Sequence, residues 1–315
     1  MSMDIPTKPE FQPNILVISG GGPKGMSFVG VLASLQQNTT FSIDKLKILS
    51  GSSIGGVICT AICLGYTIEE MKKWFLSTDF SSLCPALYNE DYTHKILPLL
   101  YKHYSLSTGF EIKDILTRTF ICKNWDTNIT FKELYEKTSK LLVLSGSNLK
   151  GRKCDYFSHI NSPDMKVFDA LLITTRIPYV FPPIEYNQNM YIDGHVFDPF
   201  PIKGCGKENI KQNKGKVLGI ISISVNKKEK IENIKDFTFS IIEGLSLQYM
   251  KRSSRRYKKY IVQVELDKDF FNLKTTTEEM IEMFEIGKLA GLSYIEKYNI
   301  ALPILTSHKE VKGIK

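Results

Sequence analysis

No Cys-x-x-Cys pair occurs among the six cysteines, Cys59, Cys63, Cys84, Cys122, Cys154 and Cys205. That argues against a zinc ribbon or a thioredoxin-type site. The cysteines are too sparse for a disulfide scaffold, so free thiols in a reducing compartment are expected. The opening stretch MSMDIPTKPEFQPN has no apolar run, and no signal peptide is read there. No Gly-Lys-Ser/Thr completes a Walker loop. Calcium-type Asp/Asn clusters closing on Glu are missing too, so no metal or other cofactor is expected. No internal repeat is visible. Uninterrupted long apolar runs are also lacking. Ile48 to Ile68 carries no charge over 21 residues, the length of a membrane span. Gly51, Ser52, Ser53, Gly55, Gly56, Thr60, Gly65 and Thr67 interrupt it, so it reads as a buried strand, a turn and a buried helix. The expected location is cytoplasmic, peripheral at membranes at most.

What remains is an ordinary globular composition. The 315 residues are 43% apolar and 23% charged, enough to bury a sizeable core. Lys and Arg number 41 against 33 acids, a net charge of +8 that permits an anionic surface without demanding one. Asn14–Ser19 reads as a strand buried on both faces, followed by a Gly-rich loop and a helix over Met26–Gln37. Leu46–Ser50 reads as a second strand, with a tight turn and a buried helix over Val57–Leu64. Two strand–loop–helix units in succession predict a parallel sheet with its ligand loops gathered at one edge. Residues 67–135 read as mainly helical, Lys140–Leu144 and Val217–Val225 as buried strands, and Tyr260–Leu266 as an edge strand. A long helix is predicted over 276–298, with Thr276 and Glu279 as its capping box. Residues 1–13 are expected to form an N-terminal extension, 14–306 one domain with its motifs in 14–200, and 307–315 a flexible tail.

The two glycine turns carry the chemistry. Gly20-x-Gly22-x-x-Gly25 matches the dinucleotide fingerprint. That reading needs an acid at the end of the second strand, but Asp44 lies before it and the strand ends in Ser50-Gly51. Gly51-Ser52-Ser53-Ile54-Gly55 matches Gly-x-Ser-x-Gly, the nucleophile elbow. There the serine sits at a strained strand-to-helix turn, where larger side chains two residues away would collide. An ordinary Gly/Ser turn is the plain alternative. Together the turns offer a hydroxyl beside backbone N–H groups of Gly21, Gly22 and Ile54, which an oxyanion hole requires. Pro23 has no N–H to give. A base is also needed. None of the histidines 94, 103, 159, 195 and 308 stands in a motif, whereas Asp193 lies in Tyr191-Ile192-Asp193-Gly194-His195.

Gly-Gly-x-Lys-Gly at 21–25, Gly-x-Ser-x-Gly at 51–55, Asp193-Gly194 and the block Ala170 to Pro183 occur in one order. This arrangement resembles the patatin-like phospholipase family over residues 14–200. The resemblance implies an α/β three-layer sandwich with a mostly parallel central sheet. It also implies a lipid acyl hydrolase with a Ser-Asp dyad and an acyl-enzyme intermediate. Carried over, Ser53 is the nucleophile and Asp193 the base, with Gly51, Gly55, Gly194 and His195 completing their motifs. Gly20, Gly21, Gly22, Lys24 and Gly25 form the oxyanion loop, and Pro178 and Phe181 shape the acyl pocket. Three positions depart from the family: Ser19 before the glycines, His195 after Asp-Gly, and Arg176 where small residues are usual. The last two put bulk near the site, so a catalytically idle lipid-binding protein stays open as a rival.

Lys251, Arg252, Arg255, Arg256 and Lys259 would share one basic stripe if the helix through Gly244–Tyr257 continued past them. Such a stripe could meet an anionic leaflet or merely complement a helix C-terminus. No nucleic-acid motif accompanies it.

Overall fold

The structure is a computed structural model that describes residues 8–88, 93–225, 231–232, 234–267 and 273–298. His308 and the expected tail at 307–315 lie outside the described residues. The strands are β1 (Ile15–Ile18), β2 (Ile48–Gly51), β3 (Leu141–Asn148), β4 (Lys153–Phe157), β5 (Ile184–Tyr186), β6 (Asn189–Asp193), β7 (Val217–Ser224) and β8 (Ile261–Leu266). They form one sheet in the order β5-β6-β3-β2-β1-β7-β8, with β4 paired to β3. β3, β2, β1, β7 and β8 run parallel, and β4, β5 and β6 supply the antiparallel pairings. The expected mostly parallel sheet is therefore present, and β8 closes its edge as the alternation in its sequence predicted.

The helices are α1 (Gly25–Asn38), α2 (Ile54–Cys63), α3 (Ile68–Ser77), α4 (Thr93–His103), α5 (Phe110–Ile121), α6 (Phe131–Thr138), α7 (Val167–Thr174), α8 (Lys207–Gln212), α9 (Ile234–Ser254) and α10 (Thr277–Lys297). Side chains of a strand alternate between faces, and β1 divides accordingly. Leu16 and Ile18 join the larger core with α1, α2, α7 and α10, while Ile15 and Val17 join a second core with Phe200, Ile202 and Met250. That split makes three layers, with α9 on the second face through Met250. α1 and α10 cross closely because Gly30 and Gly287 present no side chain. An added Cβ at Gly30 would collide with the Phe284 carbonyl, and one at Gly287 with that of Ser27.

Residues 8–13, expected as an extension, lie against the domain. Thr40 N–H donates to Pro9 C=O at 3.0 Å, and Phe11 packs edge-on to Tyr294 with centroids 6.0 Å apart. α10 starts at the expected capping box of Thr276 and Glu279. The basic stripe takes a different form. α9 ends at Ser254, and a 3-10 helix runs over Arg255–Tyr260. The five cations are exposed, but they do not share one α-helical face. They lead into the start of β8, and β8 runs parallel to β1 through β7. The cluster therefore belongs to the sheet edge opposite the two glycine turns.

Candidate active site

β1 and β2 are adjacent and parallel, with Ile18 opposite Gly51. Their C-terminal ends place the two glycine turns side by side. The second turn packs so closely that side chains at its glycines would not fit. A Cβ at Gly51 would strike the Gly55 backbone, and one at Gly55 the carbonyl of Ile18. Ser53, between them, has φ 53° and ψ −130°, a conformation L-residues seldom adopt and one that costs about 1–3 kcal/mol. α2 begins at the next residue, so its N-terminal N–H groups and dipole face the serine. Ser53 N–H donates to Thr174 Oγ1 at 2.9 Å, which fixes the elbow to the end of α7.

Ser53 Oγ donates to Asp193 Oδ2 at 2.6 Å. Asp193 is the last residue of β6, paired with Gly146 of β3, and is 3% exposed. Its other oxygen accepts from His195 N–H at 2.8 Å. Its own N–H donates to Arg176 C=O at 2.8 Å, and its C=O accepts from Ser147 Oγ at 2.8 Å. Burial pushes the carboxyl pKa up to about 7, against the pull of the Ser53 and His195 hydrogen bonds. Gly194 is forced by proximity, since a Cβ would collide with Ser145.

His195 reaches the first turn. Gly20 N–H donates to its Nδ1 at 3.1 Å, so Nδ1 is an acceptor and the ring is neutral. Burial, and then the charge of Lys24, hold its pKa down at about 3. The imidazole thus ties the glycine loop to the Asp193 turn, a role its place after Asp-Gly did not disclose. Gly20 N–H, expected in the oxyanion loop, is occupied by His195. Lys24 is buried. Its N–H closes a turn on Gly21 C=O at 3.1 Å, and Gly25 N–H closes on Gly22 and Pro23 C=O. Gly22 has φ 53°, and a Cβ at Gly25 would press on Ile54 and Phe75.

A pocket opens beside Ser53. It holds about 450 Å³ of empty space, mouth included, and its wall includes Gly22, Ile54, Phe80, Leu116, Ile177 and Phe181. Phe181 is part of its wall; Pro178 is not. Val180 N–H and Phe181 N–H both fold back onto Ile177 C=O. That turn sends Ile177 and Phe181 inward and leaves Pro178 beside the exposed Tyr179. Neither α5 nor the stretch after α3 carried a motif, so their share of the wall was not legible in advance. Thr174 and Ser147, which hold the dyad's backbone, were also missed; only their places at the C-terminal ends of α7 and β3 could have flagged them. Asp44, the acid the dinucleotide reading needs, stands exposed before β2, at the far edge.

A family model, Patatin-like phospholipase, matches residues 16–205. The chain belongs to the patatin-like phospholipase family. A probable lipid hydrolase of Invertebrate iridescent virus 6 is 34% identical over 223 residues, 69% of this chain and 71% of the relative. Triacylglycerol lipase 5 of Saccharomyces cerevisiae is 26% identical over 53% of this chain, a match to only 22% of that longer protein. VipD from Legionella pneumophila shares the fold, with a TM-score of 0.58 at 15% identity over 95% of this chain and 72% of its own. The patatin-like fold is thus found as the motifs implied, and membership supports an ester hydrolase of lipids. Among the described residues, no helix is long and apolar enough to cross a membrane.

Proposed function

We propose that this patatin-like chain hydrolyses acyl esters of lipids through Ser53 and Asp193. The observation that carries the reading is the 2.6 Å hydrogen bond between a strained serine and a buried carboxyl whose pKa is raised to about 7. A free aspartate is a weak base; this one is matched to neutral pH. Asp193 takes the hydroxyl proton as Oγ attacks the ester carbonyl. The oxyanion is held by N–H groups of Gly21, Gly22 and Ile54. The alcohol leaves with the proton from Asp193. Water, activated by the same carboxylate, then attacks the acyl-serine, and the fatty acid departs with Ser53 restored. The apolar pocket holds the acyl chain. His195 positions the loop as a neutral acceptor and takes no proton. The idle-protein reading rested on bulk at His195 and Arg176. His195 Nδ1 is turned to Gly20 N–H and the Arg176 guanidinium to Gly109, and the Ser53–Asp193 bond is intact. A fluorophosphonate probe should label Ser53 in the folded chain, and Ser53→Ala should abolish lipid hydrolysis with an unchanged circular dichroism spectrum. Wild-type turnover in that variant would move the nucleophile elsewhere.

A further inference from the structure

Arg176 is 7% exposed, yet its Nε and Nη1 have no hydrogen-bond partner. Burial alone holds its pKa down to about 10, so the guanidinium is a cation at neutral pH. A buried charge with no counter-charge is costly, and core residues seldom keep one without a use. Its surroundings make it costlier. An added Cβ at Gly109 would collide with Nη1, and Gly109 is the N-cap of the 12-residue helix α5, its N–H given to Ser107 Oγ at 3.1 Å and that of Phe110 to Thr108 Oγ1 at 3.4 Å. The positive end of a helix and a cation with no counter-charge, only the Phe181 ring beside it, therefore meet. Both favour an anion, and a guanidinium fork suits phosphate. Glu111, in the same first turn, is tied to Ser107 Oγ at 3.2 Å.

The spot adjoins the Ser53 pocket. The Arg176 guanidinium stands 5.9 Å from the Phe181 ring centre, and Phe181 and Ile112 of α5 line that pocket. Exposed aromatics surround it. Phe110, next to Gly109, is 72% exposed, Tyr104 59% and Tyr179 48%. Ser105 bridges to Tyr179, which brings these aromatics to one margin. Aromatic side chains at the level of lipid headgroups are a mark of contact with a bilayer interface.

We infer that Arg176 and the N-terminal turn of α5 form a subsite for the headgroup phosphate of a membrane lipid whose acyl ester Ser53 attacks. This rests on the hydrolase reading and narrows it to phospholipids over neutral glycerides. The test uses the full chain with Ser53→Ala, so that binding is read without turnover. Dihexanoylphosphatidylglycerol should bind about tenfold or more tighter than dihexanoylglycerol, the worth of one charge-assisted hydrogen bond. Adding Arg176→Met should erase that preference, and its melting temperature should stay level or rise because an unpaired buried charge is gone. Should Arg176→Met not fold, Arg176→Gln carries the same comparison. An unchanged preference in a folded variant overturns the subsite. Inorganic phosphate binding as tightly as the phospholipid would overturn the headgroup assignment and make the site one for free phosphate. With Ser53 in place, the kcat/KM ratio of the two lipids should fall in parallel in Arg176→Met. Ser53-dependent turnover with no phosphate preference sinks only the subsite. A phosphate preference in a chain that cleaves neither lipid sinks the hydrolase reading.

Discussion

Replacing Asp193 with Asn should make the protein more stable and nearly inactive at once. Asn keeps an oxygen for His195 N–H but cannot take the Ser53 proton. Loss of a general base costs about 10²–10⁴-fold in rate. The stability gain follows from the raised pKa. The carboxyl has an ordinary value of 3.8 and is pushed to about 7 in the folded chain. At about 1.36 kcal/mol per pH unit, ionising the buried group costs the fold roughly 4 kcal/mol above that pH. A group with a raised folded pKa contributes its full stability below its unfolded value and loses it as pH rises through the folded one. The variant should therefore match the wild type near pH 3.8. It should lead by roughly 1.6 kcal/mol at about pH 5, and by roughly 4 kcal/mol at about pH 8. Urea denaturation of both proteins across that range reads the difference directly. A constant difference, or one that shrinks as pH rises, would refute a desolvated carboxyl. The wild-type kcat/KM should climb with pH and level off above about 7; a profile already flat from about pH 5 upward would place the base elsewhere.

His195→Ala strips Gly20 N–H of its acceptor in a buried place, and about 1–3 kcal/mol of stability should go. The rate should fall by less than about tenfold, against the hundredfold or more expected for loss of a base. His195→Asn, which restores an acceptor, should recover part of the stability; a hundredfold rate loss in either variant would make the ring a proton carrier. Gly287→Ala should destabilise by about 1–3 kcal/mol in thermal melts, because the crowding against Ser27 exceeds the helix-propensity gain. An equal or higher melting temperature would show that α1 and α10 can part freely. Changing Arg252, Arg255 and Arg256 to Gln should alter hydrolysis of anionic vesicles by less than about twofold at moderate salt, since exposed distant charges are screened and these lie at the far sheet edge. A tenfold loss would put the membrane at that edge.

Much of this site could be read from residue types because its glycines stand where steric crowding leaves no room for a side chain. Gly51, Gly55 and Gly194 face backbone or side chains at distances no Cβ could share. The neighbourhood of the two turns followed from β1 and β2 being consecutive parallel strands. The rest depended on contacts between distant segments. Ser147 reaches Asp193 through the pairing of β3 with β6, and Thr174 reaches Ser53 from the end of α7, 121 residues away. His195 gained its acceptor role from Gly20, 175 residues away. The β5–β6 hairpin escaped notice because its turn residues, Asn187 and Gln188, adopt positive φ without a glycine. The basic stripe failed for a local reason: the spacing assumed an α-helix, and the backbone tightens to a 3-10 helix from Arg255.

The Ser–Asp distance is set by a segment that supplies neither residue. Thr174 Oγ1 accepts the Ser53 N–H, and the Arg176 carbonyl accepts the Asp193 N–H. These anchors are two residues apart at the end of α7, so the span between nucleophile and base is fixed by one short piece of backbone. A misplacement of about 1 Å can cost roughly a hundredfold in rate. Such a caliper must be rigid, and α7 is, with Val167, Ala170, Leu171 and Ile173 wholly buried. The side chain of Arg176 projects from the same piece of backbone toward the N-terminus of α5. An anion drawn onto that guanidinium would press on the segment that spaces the dyad. On the proposed reading, headgroup recognition and proton transfer would be joined at Arg176, its side chain serving the first and its carbonyl the second.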